Sequence, residues 1–101
     1  MTYRVVVTSG ANADLVGALD WYAERAPEQM GRLVDELERV IDRVRDRPAA
    51  FPELQRGARR ASLKVFPYQV WYRVDEDRKL IEVLALVHGR QDRAGFTDRL
   101  R

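Results

Sequence analysis

The chain contains a single histidine, His88, which closes an apolar run (LALV, 84–87) and is followed by Gly89, Arg90, Asp92 and Arg93. Imidazole titrates near neutrality and can carry a proton in either direction. Arginines beside it could hold a phosphate while negative charge builds on it. Cleavage of RNA through its own 2′-hydroxyl asks for that set: a base, an acid, and cations on the phosphate. A general base also needs a partner that orients it, and Asp92 stands at no recognisable spacing for the task. The alternative is structural: His88 ends a strand and hydrogen-bonds a backbone carbonyl, while the arginines form a basic rim. We read the segment in this second way.

Other chemistries find less support. The absence of cysteine removes thiol nucleophiles, disulfides and Cys-based zinc sites, and suits a reducing cytoplasm. One histidine, with no H-x-x-x-H pair and no carboxylate cluster on one face, gives no metal site. There is no Walker loop, no G-x-G-x-x-G and no serine on a sharp strand-to-helix turn, so no cofactor is expected. No apolar run approaches a membrane span, and the N-terminus does not read as a signal peptide, which makes a cytoplasmic location the expectation.

Binding is the stronger theme. Residues 1–54 hold 7 Lys/Arg against 10 Asp/Glu, whereas residues 55–101 hold 11 against 6. A basic C-terminal half attracts acidic partners. Its candidate contacts are Arg56, Arg59, Arg60 and Lys64 on a loop and strand, Arg73 across a hairpin, and Arg90 and Arg93 beyond the last strand. Arginine is the cation suited to bidentate carboxylate pairing. Trp21 and Trp71 fall off the apolar stripes of their elements and are candidate interface anchors. For Trp71 the competing reading, a cover over a helix–sheet seam, is preferred.

The elements that position these residues are legible from periodicity. At 101 residues, with 46% hydrophobic and 34% charged residues, the chain is expected to form one globular domain, 1–101. YRVVVT (3–8) is β-branched and reads as a strand. A helix follows, capped by Ser9 or Asn12, with Ala11, Leu15, Leu19, Tyr22 and Ala26 as its stripe. Pro27 ends it and opens a second helix carrying Met30, Leu33, Val34, Leu37, Val40, Ile41 and Val44 at spacings of three and four. The exposed face of that helix, including Asp35, Glu36, Arg39 and Arg43, reads as ordinary charged surface. Pro48 stops it, and 48–58 reads as a loop. Three strands then follow: RRASLKVF with a basic outer face, PYQVWYRV, and KLIEVLALV, whose continuous apolarity marks a strand covered on both faces. The tail AGFTDRLR suggests a last helical turn. The fold class is α+β: an N-terminal strand, an antiparallel helix hairpin, then three antiparallel strands forming one sheet.

The order of these elements, with DWYAERAP, RPAAFPEL, FPYQVWYRV and LALVHGRQDR at their places, resembles the RelE/ParE superfamily of type II toxins over nearly the whole chain. The resemblance implies a small basic toxin encoded beside an antitoxin that wraps and blocks it, and a hetero-oligomer of the two. RelE-like members cut messenger RNA in the ribosomal A site; ParE-like members bind DNA gyrase and trap its cleaved DNA complex. By the resemblance, the RelE strand lysines fall at Arg60 and Ser62, the catalytic arginines at Gln69 and Gln91, and the C-terminal tyrosine near Phe96 or Thr97. Gln69 brings no charge, and neither Phe96 nor Thr97 is a phenol. One missing oxyanion-hole-type donor costs about two to three powers of ten in rate. No catalytic residue is therefore assigned. The expected protein is a ParE-like toxin that inhibits gyrase by binding, with a RelE-like ribosome-dependent endonuclease as the alternative.

Overall fold

The computed structural model describes residues 2–89. Arg4–Val7 forms β1, and the helix α1 runs over Ser9–Arg25. Its cap is Thr8, not Ser9 or Asn12. The Thr8 Oγ1 accepts from the Ala11 N–H (3.2 Å) and donates to the Val83 carbonyl (2.9 Å), so one hydroxyl both starts the helix and ties it to the sheet. Only alanines are fully buried in α1, Ala11 and Ala18, while Leu15, Leu19 and Tyr22 are half-buried. The small side chains let the helix lie close on the strands beneath it.

A 3-10 turn at Pro27–Gln29 reverses the chain into α2, Met30–Asp46. Leu33, Val40 and Val44 of its stripe are completely buried. A second 3-10 turn, Pro48–Ala50, follows where proline blocks further helix.

The sheet has five strands rather than four. The segment expected to be a loop contains β2, Glu53–Gln55, ahead of β3 (Ala58–Ser62), β4 (Tyr68–Asp75) and β5 (Leu80–His88). Strand order is β1-β5-β4-β3-β2. The C-terminal pairs are antiparallel, as expected, but β1 pairs in parallel with β5, from Arg4 opposite Leu80 to Val7 opposite Val83. The helix hairpin between β1 and the rest carries the chain across one face of the sheet, which is the connection a parallel pair requires. β2 and β3 meet at a two-residue turn in which Arg56 (φ 51°) and Gly57 (φ 77°) both adopt positive φ, the signature of the tight hairpin turns that match strand twist.

The main core lies between the helices and one sheet face, and includes Leu33, Val40, Val44, Val70, Tyr72, Ile81 and Leu86. A second apolar cluster (Ala58, Trp71, Leu84, Ala85 and Val87) contains no helix residue and belongs to the opposite face. Trp71 is therefore not on a helix–sheet seam. A bulge supports this arrangement: Trp71 pairs with Ala85 and Tyr72 with Val83, leaving Leu84 as the extra residue. Leu84 and Ala85 consequently both join Trp71, where strict alternation would have sent one of them to the helices.

Candidate functional site

His88 lies at the end of β5 opposite Tyr68, on the helix side of the sheet. The two rings meet edge to face at 5.3 Å between centroids. They line a groove of about 530 Å³ with Asp14, Gly17, Trp21 and Tyr22 of α1. Gly17 leaves the floor open, since a Cβ there would meet nothing within 4 Å. Asp14 Oδ2 accepts from the Leu86 N–H at 3.0 Å. Burial, and secondarily the neighbouring Tyr22, push the Tyr68 phenol above its ordinary value, the wrong direction for a base. No lysine or arginine is among the described residues lining this groove.

The cations are elsewhere. Arg60 pairs with Trp71 across the β3–β4 ladder, and Arg73 with Ala58. By alternation with Ala61 and Val70 of the main core, Arg60 and Arg73 point away from the helices, to the side opposite His88. The Arg60 guanidinium sits 5.8 Å from the centroid of the Trp71 ring, and Arg73 Nη2 donates to the Arg56 carbonyl at 3.0 Å. Arg56 thus joins them from the hairpin tip. Trp71 is only 3% exposed and underlies this surface rather than projecting from it as an anchor. Ser62 and Gln69 face each other in the same register, so the three described positions that the RelE resemblance marks, Arg60, Ser62 and Gln69, share one face, and Arg60 is the one cation among those three.

Arg59 and Lys64 separate from the group. Arg59 is opposite Tyr72, on the helix side; its Nη1 donates to the carbonyls of Phe51 (2.6 Å) and Ala49 (3.4 Å), and its guanidinium lies 3.7 Å from Glu53. It secures the turn after α2. Lys64 is exposed beyond the end of β3. Arg90, Arg93, Gln91, Phe96, Thr97 and the expected C-terminal turn lie outside the described residues.

A histidine on one side of a five-stranded sheet, with arginines on the other, can be compared with known proteins. The family model described as "ParE toxin of type II toxin-antitoxin system, parDE" matches residues 5–93. The chain is 36% identical over 93 residues to Toxin ParE2 of Mycobacterium tuberculosis, in strains CDC 1551 / Oshkosh and ATCC 25618 / H37Rv; the match covers 91% of this chain and 87% of the relative. It belongs to the ParE toxin family. The fold agrees with solved structures. The chromosomal ParDE toxin–antitoxin system from P. aeruginosa gives a TM-score of 0.72 at 23% identity, covering 85% of this chain and 95% of that one. The toxin–antitoxin complex RelBE2 from Mycobacterium tuberculosis gives 0.58 at 21% identity, covering 87% and 99%. The chain is thus a type II toxin with the α+β architecture of the RelE/ParE superfamily.

One structural feature of this ParE-family toxin escaped the sequence. Glu36, read there as exposed charged surface, is only 6% exposed. Its carboxylate accepts from three successive backbone N–H groups, those of Lys64 (2.9 Å), Val65 (3.2 Å) and Phe66 (3.2 Å). Burial alone would raise its pKa, but the three donors and nearby Arg39 outweigh burial and hold the pKa below the ordinary carboxylate value. Because those N–H groups turn to α2, the ladder of β3 ends at Ser62. The expected strand 59–66 breaks there, and Val65 is lifted outward to 64% exposure. A glutamate among arginines on a helix looks like solvated surface; only the fold reveals what it caps.

Proposed function

We propose that this ParE-family toxin acts by binding, inhibiting DNA gyrase, and that a cognate antitoxin neutralises it in the cytoplasm as a hetero-oligomer. The observation that carries the binding reading is the separation of His88 from Arg60 and Arg73 by the thickness of the sheet. Phosphodiester cleavage needs the proton-transfer group and the cations on the same phosphate. Here the groove that holds the imidazole has no cation among its described lining residues, while the arginine surface lacks the imidazole and carries the carboxylate of Glu82 directly opposite Arg73. An arginine surface does suit the carboxylates of an acidic antitoxin segment. The family membership supports gyrase as the target, and the likeness to structures titled as toxin–antitoxin complexes supports an antitoxin partner.

The test sets two assays side by side. The purified toxin should block gyrase supercoiling and accumulate cleaved plasmid, and should leave ribosome-bound messenger RNA intact. His88→Gln should preserve gyrase inhibition within roughly twofold, because no proton transfer is involved. Codon-position cuts in ribosome-bound message, lost in His88→Gln, would replace this reading with the endonuclease one.

A further inference from the structure

Trp21 falls off the apolar stripe of α1, and the arginine face makes no use of it. It is 48% exposed and walls the aromatic groove at the end of β5. Asp14, Gly17, Ala18 and Trp21 recur along one side of α1 at steps of three and four, and all of them line that groove. Two helical turns, about 10 Å, separate Asp14 from Trp21 along the axis. Between them the glycine and the alanine leave a trough, which Tyr68 and His88 close from the strand ends. The walls select the ligand. Ring faces are electron-rich, Asp14 adds a carboxylate, and the described lining residues include no lysine or arginine. An anion would be repelled. An apolar side chain would strip water from the carboxylate without replacing it. A cation gains from rings and carboxylate together. Trp21 already holds one: the Arg25 guanidinium stands 4.9 Å from its ring centroid, and Arg25 is not among the residues lining the groove.

We propose that this groove receives an arginine side chain of the target protein, with the guanidinium on the Trp21 and Tyr68 rings and paired with Asp14. The inference rests on the gyrase reading above and adds to it a place of contact and a chemistry. Arginine fits better than lysine, because a planar guanidinium stacks on rings and meets a carboxylate through two N–H groups. Its apolar stem can lie in the trough over Gly17 and Ala18. Charge sets the antitoxin apart. The acidic segment suited to Arg60 and Arg73 would be repelled by Asp14, and the two surfaces lie on opposite sides of the sheet. Tryptophan, tyrosine and arginine are the side chains that most often dominate an interface, and this contact joins all three.

The experiment pairs gyrase supercoiling assays on the full toxin with its affinity for the protein encoded by the adjacent reading frame. Asp14→Asn keeps an acceptor for the Leu86 N–H and removes the charge, whereas Trp21→Leu keeps apolar bulk and removes the ring. Each should raise the toxin concentration for half-inhibition by about tenfold or more, with antitoxin affinity within roughly twofold and an unchanged melting temperature. Trp21→Phe should retain more inhibition than Trp21→Leu. In a second arm, a short capped arginine peptide should shift the Trp21 indole N–H resonance on titration. The same peptide with citrulline, similar in shape but neutral, should bind about fivefold or more weakly. Wild-type-like inhibition in both variants, or equal responses to the two peptides, would overturn the groove while leaving the gyrase reading intact. A matching loss of antitoxin affinity would overturn the assignment to the target. Failure of the wild-type toxin to inhibit gyrase would remove that reading and this occupant together.

Discussion

At the scale of single residues, Glu36 is the side chain on which most local structure depends. It is the only charged residue buried among the described ones, and it is stabilised by donors rather than by a counter-ion alone. Replacing it with glutamine keeps one acceptor and removes the charge, which should cost about 2 kcal/mol at pH 7. Melting temperature against pH checks this. The folded-state pKa is depressed, so the stabilisation is present above the unfolded value and is lost as pH falls through the folded one. The gap between wild type and Glu36→Gln should therefore be widest near neutrality and close in acid; a constant gap would contradict the account. Tyr72 shows the complementary case. Its hydroxyl donates to the Pro48 carbonyl at 2.6 Å inside the core, and burial pushes its pKa up to about 12, so it contributes no pH dependence in the physiological range. Neither role was visible in the sequence, because both depend on backbone groups 24 to 30 residues away.

Elements divide by how one-sided their burial is. The stripe of α2 was legible because Leu33, Val40 and Val44 are apolar, regularly spaced and fully enclosed, with charge on the other sides. In α1 the most buried residues are alanines, whose weak signal let larger neighbours draw a slightly rotated stripe. β2 was missed because its three residues are all exposed and carry no alternation. The parallel partner of β1 was equally hidden, since a β-branched run does not say which strand it joins. Thr8 joins α1 to β5 through its hydroxyl. Thr8→Val removes a cap and a bond to the Val83 carbonyl while keeping the shape, and should destabilise by about 1–2 kcal/mol. Hydrogen exchange should show the loss as faster exchange in the first turn of α1, ahead of α2.

Across the whole molecule, charge and apolar surface are sorted by side. The arginine surface faces away from the helices, and the aromatic groove of His88 opens between the layers. The sequence already showed a basic half and an acidic one, but not which arginines share a face; Arg59 left the group because two carbonyls needed a donor. A partner held by Arg60 and Arg73 is held by exposed electrostatics, so antitoxin affinity should fall as salt rises through the range where the screening length drops below about 10 Å. The double variant Arg60→Glu, Arg73→Glu should lose both the affinity and its salt dependence, as read by titration at several ionic strengths.

The parallel pairing of β1 with β5 carries a consequence for biosynthesis. Residues 4–7 are synthesised well before their ladder partners, 80–83. A nascent chain cannot complete its sheet until β5 has been made, and fragments from a transcript broken before it lack the strand that joins β1 to β4. The assembled five-stranded sheet therefore arrives only once β5 has emerged.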